Sequence, residues 1–289
     1  MTKKITCVFC KQSNYIKKGI RRTQNRGNIQ KYKCLACGKY FTNDEGFYRM
    51  RNSESKITSG IDLYFSNLSS RKVRNYFRRH LDHNASHVSI LEWCRRYVLK
   101  VQKYTNKLNP NLNGRFYADE MMVDRGNEKD AFWCSIDWDT RFITGFHYST
   151  HREVSDAIDF IKKATKKKIP QYIQTDAGMF YPQAMRKLYY SNRLHSLRVE
   201  HKVINTSKTG KHNVRIETVF MKMRDRVNNF RGFKALWSAP ILMAGIVLQH
   251  NFIEEHTSLR DYPCDRAGLN LNIGQNRWLD LIRLSAQNS

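Results

Sequence analysis

Apolar positions fall into distinct regimes along the chain. From residue 54 to 107 they recur at helical spacing. Lys56 to Phe65 predicts one helix, and a second begins at Ser69 or Ser70 and runs through Val73, Tyr76 and Phe77 to about His80. A third starts at Ser86 or Ser89, where Ser89 and Glu92 fit a capping box, and it puts Ile90, Cys94, Tyr97, Val98 and Val101 on one face. Asn106 to Asn113, with Pro110, reads as a linker. From Gly114 the spacing becomes that of strands: Arg115 to Val123, Ala131 to Ile136, and Phe142 to Phe146, with a turn at Asp137 to Thr140. A helix near Ser155 to Lys168 follows. Next come a short strand, Gln171 to Thr175, ending at Asp176 and the Ala177-Gly178 turn, and a helix from Tyr181 to Tyr190. A last helical pattern, His212 to Phe230, carries Ile216, Phe220, Met223 and Val227. Three strands and then alternating helix and strand predict an α/β fold with a mixed sheet. The apolar run Ala235 to Leu248, interrupted by Ser238 and Pro240, is too short for a bilayer and reads as a core helix.

Charge narrows the choice of partner. The chain has 51 Lys+Arg against 25 Asp+Glu, a formal net charge of +26, spread among 15 Tyr, 15 Phe and 5 Trp. A disordered basic tail would lack those aromatics, so a folded protein that binds a polyanion, nucleic acid above all, is expected. No apolar leader follows Met1, no membrane partner is implied, and the expected location is cytoplasmic, with the nucleoid. The 7 cysteines, an odd number, argue against a closed disulfide framework. Two CxxC pairs, Cys7 with Cys10 and Cys34 with Cys37, suit one structural Zn²⁺, because each turn points two thiolates at one place. Gly38 stands where such a knuckle needs positive φ, and Tyr32, Tyr40 and Phe41 are placed to pack around the metal. Lys17, Lys18, Arg21, Arg22, Arg26, Lys31 and Lys33 suit phosphate contact. Cys94, Cys134 and Cys264 read as small buried hydrophobes. On the third helix Arg95, Arg96 and Lys100 lie largely off the apolar stripe, the layout of a DNA-reading helix in a helix-turn-helix.

Among the acids, Asp119 falls within the first core strand and Asp176 at the carboxyl end of a later one, where open α/β sheets place their ligands. Glu217 has Asn213, Val214, Phe220 and Met221 at helical neighbour positions, none of them a cation, so the usual ion-pair partner is missing. Three converging oxygen ligands suit Mg²⁺ or Mn²⁺, and two such ions would serve phosphodiester chemistry. Glu200 is the rival third acid, but it sits between Arg198 and Lys202 in a strand-like, ion-paired setting. Glu120, Asp124, Asp137 and Asp139 read as surface or turn acids, Glu120 being close enough to support a ligand.

Three local patterns carry a resemblance. They are Tyr117-Ala118-Asp119-Glu120, Gln174-Thr175-Asp176 with Gly178, Tyr181 and Ala184, and Asn213 through Glu217 followed by Arg224, Arg231 and Lys234. In this order, behind a zinc ribbon and a helix-turn-helix, the chain resembles the DDE transposases of bacterial and archaeal insertion sequences. The resemblance implies a ribonuclease H-like core with Asp119, Asp176 and Glu217 as catalytic metal ligands, and Arg224, Arg231 and Lys234 as DNA contacts. It also implies cleavage at transposon ends, strand transfer into target DNA, and a dimer or higher oligomer on DNA. The interval from Asp176 to Glu217 is longer than in many relatives. The expected division is 1–48 zinc ribbon, 53–107 helix-turn-helix, 114–260 catalytic core and 261–289 C-terminal tail. The competing readings are a non-catalytic DNA-binding regulator with a decayed core, and a ribonuclease H-like enzyme that cleaves RNA.

Overall fold

A computed structural model describes residues 5–23, 27–43, 45–81, 85–205, 213–229 and 232–288. At its start β1 (Tyr15–Thr23), β2 (Gly27–Cys34) and β3 (Tyr40–Thr42) form an antiparallel sheet in that order. Tyr15, Tyr32 and Phe41 pack on one another, with Tyr32 and Phe41 buried, beside the cysteines. Tyr40 does not join them. Neighbours on a strand leave opposite faces, so Tyr40 is exposed and lies near the ammonium groups of Lys31 and Lys33.

Three helices follow: α1 (Glu54–Phe65), α2 (Ser70–His80) and α3 (His87–Thr105). Ser53, Ser69 and Ser86 cap them, each side chain accepting a backbone N–H of the first turn. Ser86, not Ser89, starts α3: its hydroxyl takes the Ser89 N–H at 3.0 Å, so the Ser89–Glu92 box does not form.

The larger sheet is built from β4 (Arg115–Arg125), β5 (Glu128–Asp137), β6 (Ile143–Ser149), β7 (Tyr172–Asp176) and a strand at Glu200–Ile204. Before that last strand, β8 (Tyr190–Ser191) and β9 (Ser196–Leu197) make a small hairpin, so the edge strand is β10. The sheet order is β6-β5-β4-β7-β10. β4, β5 and β6 are an antiparallel meander, while β7 and β10 join parallel on the other side of β4. A meander followed by two crossovers to parallel strands on its first strand is the ribonuclease H-like arrangement. α4 (Val154–Ala164) and α5 (Phe180–Tyr189) supply the crossovers and pack together. α4 stops at Thr165, before the lysine run and Pro170, rather than at Lys168. α6 (Val214–Asn229) lies against β4 and β5.

α7 (Ala239–Leu248), buried on nearly every side, continues into a π-helical turn at Gln249–Ile253. α8 (Pro263–Arg266) and α9 (Arg277–Gln287) occupy the segment expected as a tail. α9 packs on α1 and α3 through Trp278, Leu281 and Ile282, and Trp278 stacks 5.8 Å from Phe65. The apolar core therefore runs without a break from the helices to the sheet. Arg226 of α6 is 2% exposed and lies over the rings of Tyr64 and Phe65, locking α1 to α6.

Candidate active site and nucleic-acid contacts

Asp119 and Asp176 meet because of where two strands part. β7 pairs with β4 only as far as Tyr117 opposite Gln174, and Asp176 lies two residues further on. At the same place the burial of β4 changes phase. Phe116 and Ala118 are buried on one alternation and Met121 and Val123 on the other, with Asp119 and Glu120 both half-buried between them. Carboxylate oxygens of Asp119, Glu120 and Asp176 come within 4.8 Å of one another. The Asp176 oxygen also accepts the Gly178 N–H at 2.9 Å. A Cβ on Gly178 would stand 2.9 Å from that oxygen and from the Phe180 ring, so a side chain there would displace one of them.

The electrostatics follow from the crowding. Burial, then Glu120, then Asp176 and Glu217 push the Asp119 carboxyl up to about 7, against a Glu120 backbone N–H that lowers it. Burial raises Glu120 too, opposed by the Tyr181 hydroxyl and by Arg152. Acids driven toward neutrality by one another suit a divalent cation, which would hold all of them ionised.

Glu217 sits in the first turn of α6, half-buried, and its N–H bonds to the Asn213 carbonyl. Asn213 is buried. Its amide reaches the carbonyl of Ala118 at 3.4 Å and its side-chain oxygen faces the amide of Gln174 at 3.5 Å. The start of α6 is thus tied beside both aspartates. Glu217 contributes to the field at Asp119 but lies outside the 4.8 Å group. Glu200 is exposed beside Lys202. It begins β10, whose other end, Ile204, is the partner of Asp176, so it stands about 13 Å down the sheet from the cluster.

The sequence reading put Glu120 among surface or turn acids, though close enough to support a ligand; its burial and its partners were not foreseen. Its side chain is 3% exposed, paired with Arg152 and bonded to the Tyr181 hydroxyl at 2.6 Å. It is not a surface acid, and both its partners are remote in sequence.

Residues 113–256 match the sequence model of a family described as a DDE domain. The chain belongs to the DDE-type transposases. An uncharacterised protein of Methanocaldococcus jannaschii is 33% identical over 145 residues, covering 49% of this chain and 64% of that one. Among solved structures, the magnesium-bound trimeric form of the HTLV-2 integrase catalytic core has a TM-score of 0.39 at 13% identity, covering 53% of this chain and 94% of that one. A simian T-cell lymphotropic virus intasome chain, in complex with a PP2A regulatory subunit, has a TM-score of 0.40 at 13% identity, covering 55% and 56%.

In this transposase chain the four N-terminal cysteines also converge. The Cys7 and Cys37 sulfurs are 3.7 Å apart, and those of Cys10 and Cys34 are 3.5 Å apart. A tetrahedron with metal–sulfur distances of about 2.3 Å has edges of about 3.8 Å, whereas a disulfide would need about 2.05 Å. The cluster fits zinc. The two knuckles are built alike: Gly38, at φ 69°, donates to the Cys34 carbonyl, and Lys11, at φ 63°, donates to that of Cys7. Cys34 is lowered to about 7, chiefly by the Cys37 backbone N–H.

The cations expected to read DNA from α3 have partners within the molecule. Arg95 bonds Ser238 at 3.0 Å and lies over Trp237, Arg96 reaches the Tyr48 carbonyl at 3.1 Å, and Lys100 that of Gly46 at 2.7 Å. α3 packs against α1, α2, α7 and α9 and keeps an outer face at Val88, Glu92, Arg96, Leu99 and Lys103. α2 also presents an open cationic face, where Arg71, Lys72, Arg78 and Arg79 are exposed. Its first turn borders a 720 Å³ cleft that Arg95, Asn228, Asn229 and Lys234 also line. Arg224 is exposed on α6, seven residues past Glu217 and so near the same face. Arg26 and Arg231 lie outside the described residues. No helix among the described residues is long and apolar enough to cross a membrane.

Proposed function

We propose that this chain is a DNA transposase that cleaves DNA at the ends of its element and joins them to target DNA, acting on DNA as at least a dimer because two ends must be held. The observation that carries the reading is the convergence of Asp119 and Asp176, with the start of α6 and Glu217 tied beside them, inside a DDE domain. Asp119, Asp176 and Glu217 would hold the ions, with Glu217 reaching in from the first turn of α6. Mg²⁺ or Mn²⁺ bound there supplies Lewis acidity and charge neutralisation for in-line attack on a phosphodiester. In the first step a water oxygen bonds to phosphorus and the 3′ oxygen leaves, freeing a 3′-OH. In the second that 3′ oxygen attacks a target phosphodiester and a target 3′ oxygen leaves, so one ester bond is exchanged for another. The exposed β1–β2 ribbon and the cations of α2, with Arg224, Arg231 and Lys234, would contact phosphates.

The test is a cleavage and strand-transfer assay in Mn²⁺ on DNA carrying the sequences that flank the gene. Asp119→Asn, Asp176→Asn and Glu217→Gln should each lose both steps while DNA affinity stays within about threefold, since phosphate contacts elsewhere carry the binding. Glu200→Gln should behave as wild type. A wild-type protein that binds end DNA but never cuts would instead make the chain a DNA-binding regulator.

A further inference from the structure

Both oxygens of Glu120 are engaged, one by Arg152 and the other by the Tyr181 hydroxyl, which is itself wholly buried. Arg152 stands in the turn between β6 and α4, its guanidinium 4.9 Å over the Phe180 ring. Its side chain is 46% exposed, against 3% for Glu120. Nη2 makes the pair, so Nε and Nη1 keep donors that Glu120 does not take. The guanidinium is therefore fixed from below and from one side, at a rim one carboxylate away from the Asp119–Asp176 site. Charge points the same way. Arg152 neutralises Glu120, so two divalent ions held by Asp119, Asp176 and Glu217 would leave one positive charge in excess. One phosphodiester cancels it.

We propose that Arg152 binds the phosphodiester presented to the Asp119–Asp176 site, and that Glu120, braced by Tyr181, is the positioning residue that holds it there. This assignment rests on the transposase reading above. It separates two roles within the acidic cluster: Asp119 and Asp176 serve the metal, and Glu120 serves the arginine.

The experiment uses the full-length zinc-loaded protein. Fluorescence anisotropy in Ca²⁺, which also takes oxygen ligands, measures binding of two end duplexes. One duplex is unmodified and the other carries a neutral methylphosphonate at the element's terminal phosphate. Wild type should bind the modified duplex about 10- to 100-fold more weakly, the range for a charge-assisted contact. Arg152→Gln, which can still donate to Glu120, and Glu120→Gln should bind both duplexes alike, and Arg152→Lys should recover part of the discrimination. Calorimetric titration with Mn²⁺ should give Glu120→Gln the affinity of wild type, while Asp119→Asn and Asp176→Asn lose it. Full discrimination in Arg152→Gln overturns the phosphate assignment. Loss of Mn²⁺ affinity in Glu120→Gln overturns the positioning role and makes Glu120 a ligand. Undiminished Mn²⁺ affinity in both aspartate variants would instead sink the underlying metal-site reading.

Discussion

Replacing Asp119 by Asn should stabilise the metal-free protein at neutral and alkaline pH. Asp119 has its carboxyl pushed from an ordinary 3.8 up to about 7, first by burial and then by the neighbouring acids. Between those values the folded protein holds a proton that the unfolded chain has released. Its stability therefore falls as pH rises from about 4 to about 7 and is level above that. At about 1.36 kcal/mol per pH unit the full span is about 4 kcal/mol, and water reaching a half-buried carboxylate reduces the expectation to about 2 kcal/mol. Asparagine keeps an oxygen to accept the Glu120 N–H, a bond of 2.9 Å in the native site, and it carries no charge at any pH. In thermal melts at pH 8 the variant should unfold about 3–6 °C above wild type, and the two should converge near pH 4, where Asp119 is protonated. The buffer must be stripped of divalent ions by resin and not by a chelator, so that zinc stays in place. Adding Mn²⁺ should then raise the wild-type midpoint and leave Asp119→Asn nearly unmoved, reversing the order of the two. If the variant melts below wild type at pH 8 without metal, or if Mn²⁺ lifts both equally, the picture of an electrostatically strained metal site is wrong.

Four further outcomes are expected. Zinc chelation, or Cys34→Ser, should unfold residues 5–43 and leave the helix–sheet core melting as before, because the ribbon has its own small core; a shift of the main transition would contradict this. Removing the Arg71 and Arg78 charges of α2 should flatten the log–log salt dependence of DNA binding by about 0.9 for each phosphate no longer neutralised. Arg95→Ala should lower the melting temperature instead, because that side chain bonds Ser238 and covers Trp237. Lys11→Gly should stabilise the ribbon by about 0.5–1 kcal/mol, read by zinc-chelation kinetics, since Lys11 holds a left-handed backbone conformation that glycine adopts freely.

What was legible in the sequence was whatever depends on short-range spacing. The two CxxC turns, the serine cap of α2, the strand that delivers Asp176 and the ion-paired setting of Glu200 all appear where the pattern put them. The burial of Glu120 was not legible, because adjacent strand residues normally face opposite ways and an Asp-Glu pair reads as one site acid and one surface neighbour. Its burial depends on Arg152 and Tyr181, residues 32 and 61 positions away. On α3 the pattern could not show which cations would also find partners within the molecule. A helical stripe shows which face is apolar, not whether α7, α9 and the segment at Gly46 to Tyr48 will cover the rest. The C-terminal segment hid its helix behind polar residues, although Trp278, Leu281 and Ile282 carry helical spacing.

α6 ties the cationic helix α2 to the acidic cluster, and the tie sets a distance. Its first turn holds Glu217 and is fixed to β4 and β7 through Asn213. Its last turn, Asn228 and Asn229, borders the cleft that begins at α2, and Arg226 is clamped against α1. From Glu217 to Asn229 a helix rises about 18 Å. B-DNA rises about 34 Å per turn, so a duplex seated along α2 with its cut phosphate at Asp119 should touch α2 about five to seven base pairs from the cut. Ethylation interference on an end duplex would read this directly. Arg71→Ala and Arg78→Ala should erase interference at those phosphates and leave the signal at the cut phosphate, while Arg152→Gln should do the reverse. Interference from the α2 variants at the cut itself, or more than a full turn away, would mean that α6 does not set the spacing and that some other surface aligns the DNA.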